Sequence, residues 1–211
     1  NIGRMKTIYR QGLGHRYGRI MQAISGIHYN YSLPDAFWPL YQQLEGQQGD
    51  LQAFRSATYL GAVRNVRRLD WLLLYLFGAS PALCKSFVRG REPTGLVELE
   101  AGTLYGPFAT SLRMSDLGYR NSAQASLKVS ANSLEEYVRD LYQATHAPRP
   151  EFERIGVKVD GEYRQLNANQ LQIENEFYST IRPKRVTQPG ERPTAALIRG
   201  GVQYIELRAL D

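Results

Sequence analysis

The 211-residue chain is 43% hydrophobic and 22% charged, an ordinary globular composition that excludes a collagen-like repeat, a long disordered tract and a coiled coil. Its longest apolar run, residues 71–77, is too short for a membrane span, and its one cysteine, Cys84, excludes an internal disulfide framework and fits a reducing compartment. The net charge is +6 and 21 of the 26 basic residues are Arg, a bias toward an anionic partner: phosphate, carboxylate or nucleic acid.

In chain order, residues 9–17 read as a short helix interrupted by Gly12, Gly14 and Gly18. Residues 19–33 alternate, with Ile20, Gln22, Ile24, His28 and Asn30 on one face, and predict a strand or two strands joined at Gly26. Residues 50–77 carry Leu51, Phe54, Leu60, Val63, Val66 and Leu69 at helical spacing, with Arg55, Arg64, Arg67 and Arg68 on a basic face. Residues 86–120 read as irregular and rich in Gly, Pro and Thr. Ser133 with Glu136 has the pattern of a capping box, opening a helix that runs to about residue 144. Asp160-Gly161 predicts a hairpin turn, and residues 170–180 alternate as a strand with Gln172, Glu174, Glu176 and Tyr178 on one face. Residues 193–199 read as a short helix closed by Gly200-Gly201, feeding a strand over 202–207. The chain starts at Asn1 and stops straight after that strand, which reads as a piece of a longer protein.

Three of these strands pair an apolar face with a polar one: His28 with Asn30, Glu174 with Glu176, and Glu206 with Arg208. An antiparallel or mixed sheet backed by helices, its other face open to a polar ligand, accounts for the pattern; so does a polar face that simply meets water. P-loop, GxGxxG and CxxC patterns are absent, and Cys84 reads as a buried, inert thiol. His28, in mid-strand, is either a hydrogen-bonded structural residue or a ligand. Glu206, between Ile205 and Leu207, requires a cation, either Arg208 or a metal; Mg²⁺ or Mn²⁺ suits a carboxylate with one imidazole. Arg182, Lys184 and Arg185 flank Pro183 and either clamp a polyphosphate or form a solvated strand end. Arg113 either binds a carboxylate or pairs with Asp116.

Five runs occur together in order: 26–32 (GIHYNYS), 75–81 (YLFGASP), 110–119 (TSLRMSDLGY), 172–178 with 182–185 (QIENEFY…RPKR) and 204–208 (YIELR). Together they resemble the proteobacterial type of glutamate–cysteine ligase over the whole of residues 1–211. The resemblance implies an α+β fold, part of a glutamine-synthetase-like curved and mainly antiparallel sheet with surrounding helices. It implies that residues 1–211 are the central portion of one larger catalytic domain. The implied activity is ATP-dependent joining of the L-glutamate γ-carboxyl to the L-cysteine amine through γ-glutamyl phosphate, in the cytoplasm, with Mg²⁺ or Mn²⁺ and with no nucleic-acid or membrane partner.

The matching positions imply His28 and Glu206 as metal ligands, and Arg113, Tyr119 and Tyr178 around cysteine, with Tyr9, Leu13 and Gln22 in the pocket wall. Arg182, Lys184 and Arg185 are assigned to phosphate, and Arg208 to a catalytic contact with phosphate or the glutamate carboxylate. Glu174 and Glu176 serve metal or structure. The family supplies most metal ligands from a glutamate-rich strand that this sequence lacks, so the 211 residues alone are expected to be inactive. The alternatives from other classes are a basic nucleic-acid-binding module, suggested by the Arg excess and 14 tyrosines, and a noncatalytic interaction module.

Overall fold

The computed structural model describes residues 1–89, 95–117, 124 and 126–211. Helix α1 (Ile2–Tyr17) begins earlier than the sequence indicates, because the Asn1 side chain caps it by accepting from the Gly3 N–H. A Cβ on Gly12 would lie 2.2 Å from Gln172 Oε1, so this glycine does not break the helix; it admits a neighbouring segment. The expected strand over 19–33 is corrected. Gly18, at φ 89°, turns the chain into a 3-10 helix at Arg19–Ala23 that folds back on α1 with Met21 buried. Only Ile27–Tyr31 forms a strand, β1.

Helix α2 (Phe37–Leu44) leads to α3 (Leu51–Phe77), whose first turn is fastened by Asp50 Oδ2 accepting from Ala53 N at 2.7 Å. Its buried residues Ser56, Tyr59, Leu60 and Val63 follow helical spacing, whereas Trp71, Tyr75, Leu76 and Phe77 near its end are exposed. The region 86–120, expected to be irregular, contains β3 (Val97–Glu100) and β4 (Thr103–Tyr105), which join β2 (Ala82–Cys84), just ahead of it, in the order β2–β4–β3. Cys84 lies on an outer strand of that sheet and is exposed, correcting the expected burial; its Sγ is 3.0 Å from Ser86 Oγ, and that bond lowers the thiol pKa.

Helix α4 (Leu134–His146) opens on Ser133, whose Oγ accepts from Glu136 N at 3.1 Å. The Glu136 carboxylate accepts instead from Ser130 Oγ, so the box is not closed. After the short α5 (Pro150–Glu153), strands β5 (Lys158–Val159) and β6 (Glu162–Tyr163) form the expected hairpin, with positive φ at both Asp160 and Gly161. The expected strand over 170–180 is also corrected: residues Glu174–Glu176 form a 3-10 turn because their carboxylates take separate partners. Strand β7 (Ile181–Lys184), helix α6 (Pro193–Gly200) and strand β8 (Tyr204–Leu210) follow.

The principal sheet has the order β1–β8–β7, antiparallel throughout, with Asn30 and Arg182 flanking Glu206. Helix α3 packs on β7 and β8, burying Leu60, Val63, Leu171, Ile181, Val202 and Ile205 in one core with Trp38 and Tyr137. Each large apolar side chain removed from water there contributes about 1.5–3 kcal/mol. The α+β class, an antiparallel sheet backed by helices, is what the sequence indicated. Among the described residues no helix is long and apolar enough to cross a membrane.

One ion pair joins distant parts of the chain. Arg16 Nη1 lies 3.1 Å from Glu176 Oε1, and neither side chain is exposed to solvent. Arg16 also donates to Gln165 Oε1 and the Asn167 carbonyl, while Glu176 accepts from Tyr17 Oη and Gln172 N. Burial, reinforced by the Glu176 charge, pushes the Tyr17 hydroxyl well above its ordinary pKa, so it stays a donor. Replacing Arg16 with Met leaves a buried carboxylate without its cation and should cost about 3–5 kcal/mol in urea unfolding. A loss under about 1 kcal/mol would show that the pair does not anchor the fold.

Candidate functional site

The two faces of β1–β8–β7 have opposite chemistry. Alternation puts Ile181, Pro183, Ile205 and Leu207 toward α3, and Arg182, Lys184, Glu206, Arg208 and Asn30 on the other face. An extra residue in β8 opposite His28 interrupts the β1–β8 register between Ile27 and Tyr29. At this bulge His28 Nδ1 comes within 3.3 Å of Glu206 Oε1, while Lys184 Nζ is 3.8 Å from Glu206 Oε2. The structure thus brings together His28 and Glu206, the two residues read as metal ligands. Burial and the Arg208 charge lower the His28 pKa against the pull of Glu206, so the imidazole is neutral at pH 7 with a lone pair to give.

Donor atoms 3.3 Å apart fit neighbouring positions around a hard divalent ion, whose adjacent octahedral ligands lie about 3 Å from each other. Among the described residues no group of three or more His, Cys, Asp or Glu could hold a metal ion. The pair therefore fits as part of a coordination shell and not as the whole of one.

The rest of the polar face is cationic. Arg182 is buried, and burial together with the Arg208 charge lowers its pKa to about 10. Burial also lowers Lys184, with Glu206 opposing. The Nε–H groups of Arg182 and Arg208 are buried and have no hydrogen-bond partner among the described residues. Unsatisfied cationic donors close together are costly, and an anion relieves both the repulsion and the missing bonds. Lys184 and Arg185 line a hollow of about 290 Å³ with Asn175, Pro183 and Tyr204. Arg185 also has a local role: its Nε donates to Gly201 O at 2.8 Å and its Nη2 to Gly200 O, closing the end of α6.

Beside the sheet lies a cavity of about 390 Å³, lined among others by Arg113, Tyr178, Arg208, Asp70, Trp71 and Leu74. Three of the sequence-selected residues meet there. Arg113 is not paired with Asp116, the partner considered from the sequence. Its Nη1 lies 3.6 Å from Asp211 Oδ1 and its Nη2 donates to the Arg208 carbonyl at 2.9 Å. The Tyr178 N–H donates to Gln124 Oε1 at 2.9 Å.

Tyr9 and Leu13 sit half-buried one turn apart on α1, and Gln22 on the following 3-10 helix donates to Arg10 O at 3.0 Å. The Tyr9 hydroxyl is raised by burial, then by Glu176 and Tyr178, and lowered by the Arg182 charge. Tyr119 lies outside the described residues. Glu174 and Glu176 are structural ties: Glu174 accepts from Thr194 N and Oγ1 at the start of α6, and Glu176 holds Arg16.

Sequence reasoning missed Asp70 and Trp71. The helical periodicity of α3 and the apolar run at 71–77 were legible, but nothing local indicates that this end of the helix leaves the core to wall a cavity.

Comparison with known proteins places the chain in a family. The family model described as glutamate-cysteine ligase matches residues 1–211. A glutamate–cysteine ligase of Alcanivorax borkumensis is 62% identical over all of this chain and 41% of its own length, and one of Hahella chejuensis is 59% identical over 40% of its length. The chain thus spans about two fifths of these relatives. The crystal structure of a glutamate–cysteine ligase from Francisella tularensis in complex with AMP superimposes with a TM-score of 0.90 at 45% identity, covering 99% of this chain and 40% of that one. A bifunctional glutathione synthetase from Pasteurella multocida gives a TM-score of 0.62 at 27% identity, over 94% of this chain and 21% of that one. The chain belongs to the glutamate–cysteine ligase family.

Proposed function

We propose that these 211 residues form the central portion of a larger catalytic domain that uses ATP to join the γ-carboxyl of glutamate to the amine of cysteine. The observation that carries the reading is the polar face of β1–β8–β7, where Arg182, Lys184 and Arg208 surround the His28–Glu206 pair and two buried guanidinium N–H donors have no partner among the described residues. Such a face suits a polyphosphate and a developing phosphoryl charge. The AMP complex of the Francisella tularensis relative favours a nucleotide as the source of that phosphate.

In this reading Lys184, Arg182 and Arg208 hold the transferring phosphoryl group and the glutamate carboxylate, with Arg185 at the outer end of the phosphate path. The γ-carboxylate oxygen attacks the terminal phosphorus of ATP and ADP leaves. The cysteine amine then adds to the resulting acyl phosphate, forming the C–N bond, and the tetrahedral intermediate expels phosphate as the carbonyl re-forms and the nitrogen loses a proton. His28 and Glu206 would contribute an imidazole nitrogen and a carboxylate oxygen to Mg²⁺ or Mn²⁺, which when bound neutralises phosphate charge. Arg113 receives the cysteine carboxylate. Asp70, lining the same cavity, supplies the opposite charge that a zwitterionic amino acid needs. Tyr178 lines the same cavity; Tyr9, Leu13 and Gln22, which the resemblance assigns to the pocket wall, are not among its lining residues.

The competing reading as a basic nucleic-acid module loses its main support. Arg16, Arg55, Arg64, Arg67, Arg113, Arg182 and Arg185 all donate to backbone carbonyls within the chain.

Two donors do not hold a divalent ion by themselves, so the 211-residue chain alone should release no phosphate from ATP with glutamate and cysteine present. Turnover in a phosphate-release assay would refute the reading of His28 and Glu206 as part of a larger shell. In a full-length protein carrying this segment, His28→Ala or Glu206→Gln should raise the Mg²⁺ concentration for half-maximal activity by about 10–100-fold, the scale of lost support at a metal site. An unchanged Mg²⁺ titration counts against both assignments.

A further inference from the structure

Behind Arg113, which lines the cavity, lies a carboxylate that no part of the proposed chemistry uses. The Asp211 side chain is 5% exposed and ties together two other segments, 79–80 and 111–113. Oδ1 accepts from Ser111 Oγ at 2.7 Å, and Oδ2 accepts from Ser80 Oγ at 2.8 Å and from the Ala79 N–H at 2.9 Å. Burial opposes its ionisation, but those hydrogen bonds and the Arg113 charge outweigh it and hold the carboxyl below its ordinary range. The charge is present at neutral pH, next to a guanidinium that is itself 6% exposed.

The separation of 3.6 Å between Arg113 Nη1 and Asp211 Oδ1 is too long for a two-pronged fork, which closes to about 2.7–2.9 Å. At that distance the charges attract without the carboxylate consuming the guanidinium's donors. The group is braced on two further sides. Arg208 O takes Nη2, Nη1 makes a long contact of 3.4 Å to Met114 Sδ, and Gly26 lies so close that a Cβ there would be 2.2 Å from Arg113 Cζ. A buried cation held by one carbonyl alone would be costly; a carboxylate bonded in a tight fork would cancel it as a receptor. The observed arrangement avoids both.

We propose that Asp211 is a positioning residue for Arg113, its carboxylate fixed by Ser111, Ser80 and the Ala79 N–H so that the guanidinium stays charged and aimed at the carboxylate of the amine substrate. The proposal rests on the reading of Arg113 as the anchor for the cysteine carboxylate, and its test separates the two.

The discriminating quantity is the ratio of kcat/KM for cysteine to that for cysteamine, the same aminothiol without the carboxylate, in a full-length protein carrying this segment. Arg113→Met should collapse the ratio toward one. If it leaves the ratio intact, Arg113 is not the anchor and that reading fails first. Asp211→Asn should lower the ratio by about tenfold, the scale of a weakened charge-assisted contact. The loss should come through KM for cysteine, with KM for ATP unchanged. Asp211→Glu should recover part of the ratio, and Gly26→Ala, which pushes on the guanidinium without altering a charge, should lower it too. A ratio that collapses in Arg113→Met yet stays at the wild-type value in Asp211→Asn, with both amines slowed equally, makes Asp211 a structural tie and overturns the proposal. If Asp211→Asn fails to fold, Ser111→Ala removes one donor to Asp211 and keeps both charges; an unchanged ratio in that variant overturns the proposal equally.

Discussion

The buried pair of Arg16 and Glu176 is the constraint on which the arrangement of the site depends. Two charges withdrawn from water persist only if the remaining donors and acceptors are also met, and here Gln165, Asn167, Tyr17 and Gln172 meet them. The result is a fixed relation between α1 and the 3-10 turn just ahead of β7. The same helix carries Tyr9, whose hydroxyl feels the charge of Arg182 on β7. Two residues before Glu176, Glu174 holds the first turn of α6 through Thr194. One short turn thus fastens a helix on each side, its two carboxylates engaged by opposite partners.

The arginine excess has a related explanation. Guanidinium groups reach across the molecule to carbonyls that no strand or helix satisfies: Arg55 to Gln203, Arg64 to Ala131 and Arg67 to Val129. A loop carbonyl buried without a partner costs about as much as a lost hydrogen bond, and the planar, multiply donating guanidinium repairs several from one side chain. The basic face of α3 is therefore largely internal. An anionic partner is suggested by Arg182, Lys184 and Arg208 at the sheet, and the overall charge carries little of that argument.

Elements whose causes are local were legible in the sequence. Helices α3 and α6, the Ser133 cap and the Asp160-Gly161 turn each follow from spacing, a capping side chain or a turn dipeptide within a few residues. The segments at 19–23 and 170–180 were not, although both alternate. Gln22 answers to Arg10 and Glu176 to Arg16, and such distant partners override a period of two. The candidate site divides the same way. His28 and Glu206 were singled out by type and by family resemblance, and strand pairing brings them together. The partner of Arg113 is 98 positions away at Asp211, where no spacing rule could find it in preference to the neighbouring Asp116.

The bulge opposite His28 has a meaning beyond the contact it creates. Between Leu207 and Leu210, β8 takes one more residue than β1 does between Ile27 and Tyr29, so the phase of the strand is reset before it reaches Asp211. Removing a single residue at 208 or 209 would leave a regular, well-bonded ladder. Leu210 would stay opposite Ile27, but β8 would lose one of the two consecutive residues, Arg208 and Ala209, that the bulge sets across from His28. The bulge is thus what lets β8 carry Arg208 on the polar face and bury Ala209 opposite a single residue of β1.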